Sequence, residues 1–382
     1  MKITGIICEY NPFHAGHLYH LSQVKKEGGT VMCVMSGNFT QRGEIVCLDK
    51  YIRARHAVLA GADIVLELPV IFATASAENF AYGAVRILDA AGCDSLNFGS
   101  ECGDLSRIVS CAQKLLDPPQ EMKVSIRKWL DEGCSYPAAL ANALSQSDAE
   151  NAFVLNKPNN ILGIEYVKQI ILSNSAMTPQ TVLREDNYNS VDITAMGCPS
   201  AAAIRKALEK GEKDAVKNFV PPYVYNDLQK PIADKFKKFL YTFLGTLSKE
   251  YLSEIEGVTE GLHSRIALCR HAGNYDLMME KLKTKRYTLT KLQRVLLNAL
   301  LSITKATAKE AKETKPYTRV LAVSKDRLDL LTHLSQCKIN LAPNVLKQQE
   351  FLQELDLKAS NLYYSLNGAS GNKDLTQALQ KI

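Results

Sequence analysis

The sequence predicts an α/β fold: a parallel sheet with helices over residues 1–220, carrying a helical insertion at about 105–150, then a mostly α-helical, basic domain over 221–382. Three observations carry this. Hydrophobic spacing over the first hundred residues alternates between short fully apolar runs and helical stripes, the pattern of βαβ units. Each apolar run ends in a polar turn, "EYNP", "SGNFTQRGE", "ELP" and "GSECGD". Beyond the linker "VPPYVYNDLQKP" helical periodicity dominates.

In order, strands are expected at 3–8, 31–35, 64–68 and 95–98, where buried runs of Ile, Val, Leu and Cys are too short for helices. Helices are expected between them at 15–26, 50–60 and 75–91. The Pro118-Pro119 pair breaks the helical insertion, and "SYPAALANAL" reads as a helix with Pro137 near its start. "KPNNILGIEYVKQIIL" reads as a helix entered from a turn, and "TVLRE" as a short strand. "PSAAAIRKALEKG" reads as a helix capped by Ser200 and closed by Gly211. Further helices are expected at 233–244, 262–271 and 289–303, with short strands at 319–323 and 338–342. In an open parallel sheet ligands gather outside the carboxyl ends of the strands, so the four polar turns are where chemistry belongs.

At 46% hydrophobic and 23% charged, the 382 residues are ordinary for a globular chain. No stretch approaches 18 uncharged apolar residues and the start lacks a signal-peptide pattern, so a cytoplasmic protein without membrane contact is expected. The ten cysteines are scattered with no C-x-x-C, which argues against a zinc ribbon, a redox motif or any metal site. Residues 281–330 hold thirteen Lys or Arg against four Asp or Glu, whereas the whole chain is only +6. A regional single-sign charge suits a polyanion such as nucleic acid, although a solvated lysine-rich face gives the same count.

The densest chemical signal is "CEYNPFHAGHLYHL", in which His14, His17 and His20 are three of the chain's seven histidines. His14-Ala15-Gly16-His17 falls between a strand and a helix. There the helix start offers unpaired N–H groups, Gly16 lets an anion approach the backbone, and two imidazoles one turn apart face the same charge. Asn11 and Pro12 shape the preceding turn. With no Cys or carboxylate at ligand spacing, the pattern points to phosphate rather than metal.

H-x-G-H after a first parallel strand resembles the Rossmann-like nucleotidyltransferase superfamily shared with class I aminoacyl-tRNA synthetases. The longer strings "EYNPFHAGHLYHL", "MSGNFTQRGE", "GADIVLELP", "FGSE", "SYPAA", "KPNNILG" and "KRYTLTKLQR", in that order along nearly the whole chain, are similar to one narrower family, the bacterial tRNA(Met) cytidine acetate ligases. The resemblance implies a ligase that activates acetate with ATP to acetyl-adenylate, releasing pyrophosphate. It then acetylates the wobble cytidine of elongator tRNA(Met) to N4-acetylcytidine. ATP is the implied cosubstrate, with magnesium as a candidate companion, and acetate and tRNA are the implied partners. Two other readings stay open: a small-molecule nucleotidyltransferase that leaves the nucleotide on its product, and a non-catalytic RNA-binding protein of the same fold.

The implied ATP site runs through Ile7, Cys8, Glu9, Tyr10, Asn11, Pro12, Phe13, His14, Ala15, Gly16, His17, Leu18, Tyr19 and His20, then Gly99, Asn159 and Arg184. His14 and His17 are the catalytic candidates, as donors to charge developing on the phosphates. Gly99 at a strand end would admit a base or ribose, or be a plain turn; Asn159 would read an adenine edge or ribose, or be a helix N-cap; Arg184 supplies a fork for a carboxylate or phosphate. Ser200 and Arg205 in "SAAAIR" resemble the superfamily's second phosphate motif, though alanines stand where hydroxyls are usual. Gln41 and Arg42 lie in a polar loop that could order acetate or cytidine and act as a mobile lid. Arg53, Arg55 and His56 suit either a phosphate site or pairing with acids. Lys283, Lys285, Arg286, Tyr287, Lys291 and Arg294 are candidate tRNA contacts, with Tyr287 placed to stack on an unpaired base. For acetyl transfer the base would be a nearby His or Glu9.

Overall fold

The computed structural model describes residues 1–147, 153–184, 199–259, 261–343 and 349–382. Five parallel strands, β1 (Ile3–Cys8), β2 (Thr30–Ser36), β3 (Ile64–Leu68), β4 (Ser95–Ser100) and β5 (Thr178–Leu183), lie in the order β5-β4-β1-β2-β3. β1 pairs with β2 on one side and with β4 on the other, so the strand order reverses beside β1. That reversal opens a crevice at the carboxyl ends of β1 and β4, where α/β sheets hold ligands. Alternate residues feed two cores: Val31, Cys33 and Met35 of β2 face one, and Met32 and Val34 the other.

Helices α1 (Ala15–Lys26) and α2 (Lys50–Leu59) follow β1 and β2, and α4 (Ala77–Ala90) follows β3 after a single turn, α3 (Val70–Ala73), that lies ahead of the helix expected at 75–91. The expected insertion is three helices, α5 (Leu105–Leu116), α6 (Gln120–Asp131) and α7 (Tyr136–Ser147). Its last expected residues, 148–150, and Glu185 at the end of the expected fifth strand, lie outside the described residues. Helix α8 (Pro158–Leu172) returns the chain to β5, and α9 (Ala201–Lys210) begins at the Ser200 cap.

Past residue 221 the chain is mostly helical, and it also returns to the sheet. A strand at Val320–Val323 pairs antiparallel with β3, and Gln380–Lys381 pairs with that strand at the edge. The helix Glu350–Leu366, 17 residues long and absent from the pattern reading, packs against α3. Among the described residues no helix is long and apolar enough to cross a membrane.

The loop between β2 and α2 is built into the body, against its expectation as a mobile lid. Phe39 bridges Ile45, Phe39 is fully buried, and Gly43 sits at φ +76 with its α-carbon pressed on the backbone of Gln293 and Arg294. A Cβ at Gly43 would lie 2.7 Å from Arg294 N, so only glycine lets this loop meet the helix Leu289–Leu301.

Candidate active site

The two histidines of H-x-G-H complete the start of α1. His14 is the N-cap, its Nδ1 accepting from Gly16 N at 3.0 Å, and His17 Nδ1 accepts from His14 N at 3.3 Å, a reciprocal capping box built of imidazoles. The rings lie against each other at a tilt of 33°, centroids 3.8 Å apart. A ring nitrogen that accepts a backbone N–H carries no proton, so each neutral ring bears its proton on Nε2 and presents a donor. Burial holds His17 well below the ordinary histidine range, with His14, Arg184 and His20 adding to the effect. His20, one turn further on, has its Nε2 2.8 Å from Asn97 Oδ1 and spans the crevice from α1 to β4. Burial pushes its pKa down to about 4, against the Asn97 hydrogen bond. Tyr10 is held at φ +48, a left-handed backbone that a bulky residue keeps only when its surroundings fix it, and its ring packs edge-on to Phe13 and His17.

Across the crevice stand the other expected residues. The bare face of Gly99 is filled by Arg184, since a Cβ there would lie 2.6 Å from Arg184 Cδ; the room expected for a base or ribose is taken by that side chain. Arg184 Nη1 donates to Asn159 Oδ1 at 3.2 Å, and Asn159 Nδ2 donates to Glu101 Oε1 at 2.9 Å. Asn159 is not the N-cap of α8. Lys157 occupies that position without a side-chain cap, and Glu101 reaches over from β4 to accept the N–H groups of Asn159 and Asn160. Gly99, Glu101, Asn159 and Arg184 thus form one connected wall.

Arg205 joins three pieces of the site. Its Nη1 donates to Asn11 O at 2.7 Å and its Nη2 to Glu44 Oε2 at 2.8 Å, while Ser200 caps its helix through Ala203 N. Glu9, at the end of β1, accepts from Gln41 N at 2.6 Å. Gln41 O in turn accepts from Arg294 Nη1 at 3.4 Å, so the expected loop residue and one expected tRNA contact touch. Burial pushes Arg294 down to about 10, which leaves it cationic. Arg53 is fully buried and grips backbone: it donates to the carbonyls of Leu48, Glu9, Ser36 and Gly37. It holds together the ends of β1 and β2 rather than binding phosphate. Arg55 and His56 both pair with Asp227, tying α2 to the helix Pro222–Asp227.

The basic segment divides by exposure. Lys283, Lys285 and Arg286 are exposed, whereas Lys291 and Arg294 are half-buried. Tyr287 corrects its expected role: at 7% exposure its ring is not offered to a base, its hydroxyl donates to Thr259 O, and Lys291 Nζ sits 5.2 Å from the ring centroid. Two members of the site escaped the sequence reading. Asn97 was visible as a polar residue inside an apolar strand, and Glu101 as the acid closing "FGSE". As a whole the arrangement can receive an extended anion: imidazole N–H donors on one wall and two guanidinium groups, Arg184 and Arg205, on the others.

The chain is similar to known proteins over nearly its whole length. The HIGH Nucleotidyl Transferase family model matches residues 1–378. The chain is 39% identical to the tRNA(Met) cytidine acetate ligase of Caldicellulosiruptor saccharolyticus, covering 95% of this chain and 94% of the relative. It is 38% identical to that of Bacillus licheniformis, covering 95% and 92%. Among solved structures it resembles Thermotoga maritima TmcAL bound with alpha-thio ATP, at TM-score 0.90 and 30% identity over the whole of both chains. The apo form of that protein gives TM-score 0.92 at 29% identity, again over the whole of both chains.

Proposed function

The chain belongs to the HIGH nucleotidyl transferase family, among the tRNA(Met) cytidine acetate ligases, and from that premise we propose that it is an ATP-dependent tRNA-modifying ligase. It activates acetate to acetyl-adenylate, releasing pyrophosphate, then acetylates N4 of the wobble cytidine of elongator tRNA(Met). The observation that carries this reading is the imidazole capping box at the start of α1, beside the reversal of strand order, in which both rings accept through Nδ1 and so keep Nε2 as an N–H donor.

In the first step acetate oxygen attacks the α-phosphorus and the bond to pyrophosphate breaks. His14 and His17 donate to the phosphate oxygens as charge builds on them, and Arg184 and Arg205 flank the chain of phosphates. The residues are already fixed by capping and by the Asn159–Glu101 wall, so little reorganisation is needed when charge develops. Magnesium accompanies the triphosphate in this reading. In the second step the cytidine amine attacks the mixed anhydride and AMP departs. The wobble base lies in a loop and can leave its stack at smaller cost than a paired base. The protein works in the cytoplasm, with its substrate tRNA.

The test is acetate-dependent exchange of labelled pyrophosphate into ATP, followed by transfer of labelled acetate to unmodified tRNA transcripts. Exchange that ignores acetate and leaves nucleotide on another acceptor favours a small-molecule transferase. Binding of tRNA without any exchange favours a non-catalytic protein.

Two variants bear on the site wall and on the basic segment. Gly99→Ala puts a Cβ against the middle of the Arg184 side chain, and should weaken binding of a non-hydrolysable ATP analogue about tenfold by calorimetry. Replacing Lys283, Lys285 and Arg286 together by Ala should weaken tRNA binding and make the plot of log affinity against log salt shallower by roughly two to three, measured by filter binding. An unaltered slope would remove these three from the tRNA surface.

A further inference from the structure

Acetyl transfer to cytidine, as read above, needs an acceptor for the proton that the exocyclic amine loses. The hydrogen bonds narrow the choice. His14 and His17 spend Nδ1 on backbone N–H groups, and their remaining nitrogens are donors. His20 Nε2 faces an amide oxygen, and the ring stays neutral. Among the nearby carboxylates, Glu44 is paired with Arg205, Glu101 with the start of α8, and Glu67 with Lys50.

Glu9 differs from all of these. It is half-buried at the end of β1, and among the described residues its carboxylate meets one donor, Gln41 N, on Oε1. Its own carbonyl is pinned by Arg53, so the backbone that carries it is fixed. It stands between the H-x-G-H turn and the loop touched by Arg294, where the nucleotide and tRNA sides of the site meet. We propose that Glu9 is the general base of acetyl transfer. The cytidine N4 lone pair forms the N–C bond, the C–O bond to AMP breaks with its electrons going to the phosphate, and the N4 proton passes to Glu9 Oε2. The groups facing Glu9 are Arg42 and Glu44 from the loop, Arg205 from α9 and Tyr166 from α8. Burial raises its pKa above the ordinary glutamate range, against the Gln41 N–H, Arg205 and Arg42, towards the range where a base works best near neutral pH.

The test separates the two steps in the full-length protein with tRNA transcript. For Glu9→Gln, single-turnover transfer from preformed acetyl-adenylate should fall about 100-fold or more, and exceed any loss in acetate-dependent pyrophosphate exchange by about tenfold or more. In the wild type, transfer rises with pH through the Glu9 titration and then levels, while Glu9→Gln lacks that limb and Glu9→Asp regains part of it. Equal losses in both steps, or a surviving pH limb in Glu9→Gln, overturn the base assignment and leave Glu9 a support for the Gln41 loop. Absence of acetate-dependent exchange in the wild type defeats the ligase reading instead, and the base assignment with it.

Discussion

His14→Asn should fold as the wild type does and lose most of its adenylate formation. Asparagine is among the strongest N-caps, so its side-chain oxygen replaces Nδ1 as acceptor for Gly16 N, and stability should stay within about 0.5 kcal/mol. What disappears is the Nε2–H donor. Loss of one preorganised donor to charge developing in a transition state costs roughly 10²–10³-fold, so acetate-dependent pyrophosphate exchange should fall by about that factor. His17→Gln applies the same logic one turn on, because glutamine at the third helical position returns to the N-cap N–H just as His17 Nδ1 does. His14→Ala makes the contrast: it loses the cap as well, about 1 kcal/mol, with a comparable loss of exchange. tRNA affinity should be unaffected in all three by filter binding. If His14→Asn retained wild-type exchange, the histidines would be helix caps and nothing more.

Much of this site was legible because its residues are local. The strand, turn and helix of the first motif occupy consecutive positions, and the bounds expected for β1 and α1 are those observed, since apolar run and helical stripe there do not compete. The second wall was legible only as separate strings. Nothing in "FGSE" or "KPNN" says that Glu101 caps α8 through Asn159 N, or that Gly99 is bare because Arg184 crosses it, as those partners lie 58 and 85 positions away. Tyr287 was misjudged for a related reason. An aromatic among lysines reads as a stacking surface, yet this one is buried, its hydroxyl donating to Thr259 O from 28 positions earlier and its ring facing Lys291 Nζ. The exposed charges, by contrast, kept their expected exposure because desolvating a lysine without a partner is too costly. The hardest feature to foresee was the return of the chain's last third to the sheet: a strand is expected at 319–323, but nothing in so short a run names distant β3 as its partner, and the two-residue strand at the edge carries almost no period.

That return rests on a buried charge network, and disrupting it should have the largest effect on stability. Lys50, wholly buried at the start of α2, donates to Glu67 Oε1 at 2.6 Å and to Asp374 Oδ2 at 2.6 Å, joining β3 to the helix Lys373–Thr376. Arg319 Nη1 donates to Asp374 O, and the hydroxyls of Ser360 and Tyr51 donate to the Asp374 carboxylate. Lys50→Met would leave the Glu67 and Asp374 carboxylates buried without their ammonium, and should cost about 3–5 kcal/mol in urea unfolding. The third carboxyl, Asp356, behaves differently. Burial, aided by Glu67, pushes its pKa up to about 8, so it is neutral at pH 7 while accepting from Val70 N at 2.7 Å. Between about pH 4 and pH 8 the folded state therefore keeps a proton that the unfolded chain has released. Wild-type stability should fall as pH rises through that window, by up to about 1.4 kcal/mol per unit. Asp356→Asn keeps the acceptor for Val70 and removes the titration, so its stability should be close to wild type near about pH 4 and exceed it increasingly towards about pH 8, with the slope reduced. An unchanged slope would show that Asp356 is ionised throughout. The consequence reaches the site, because Lys50 and Arg53 lie on the same helix, one anchored by the chain's tail and the other holding the strand ends that carry Glu9.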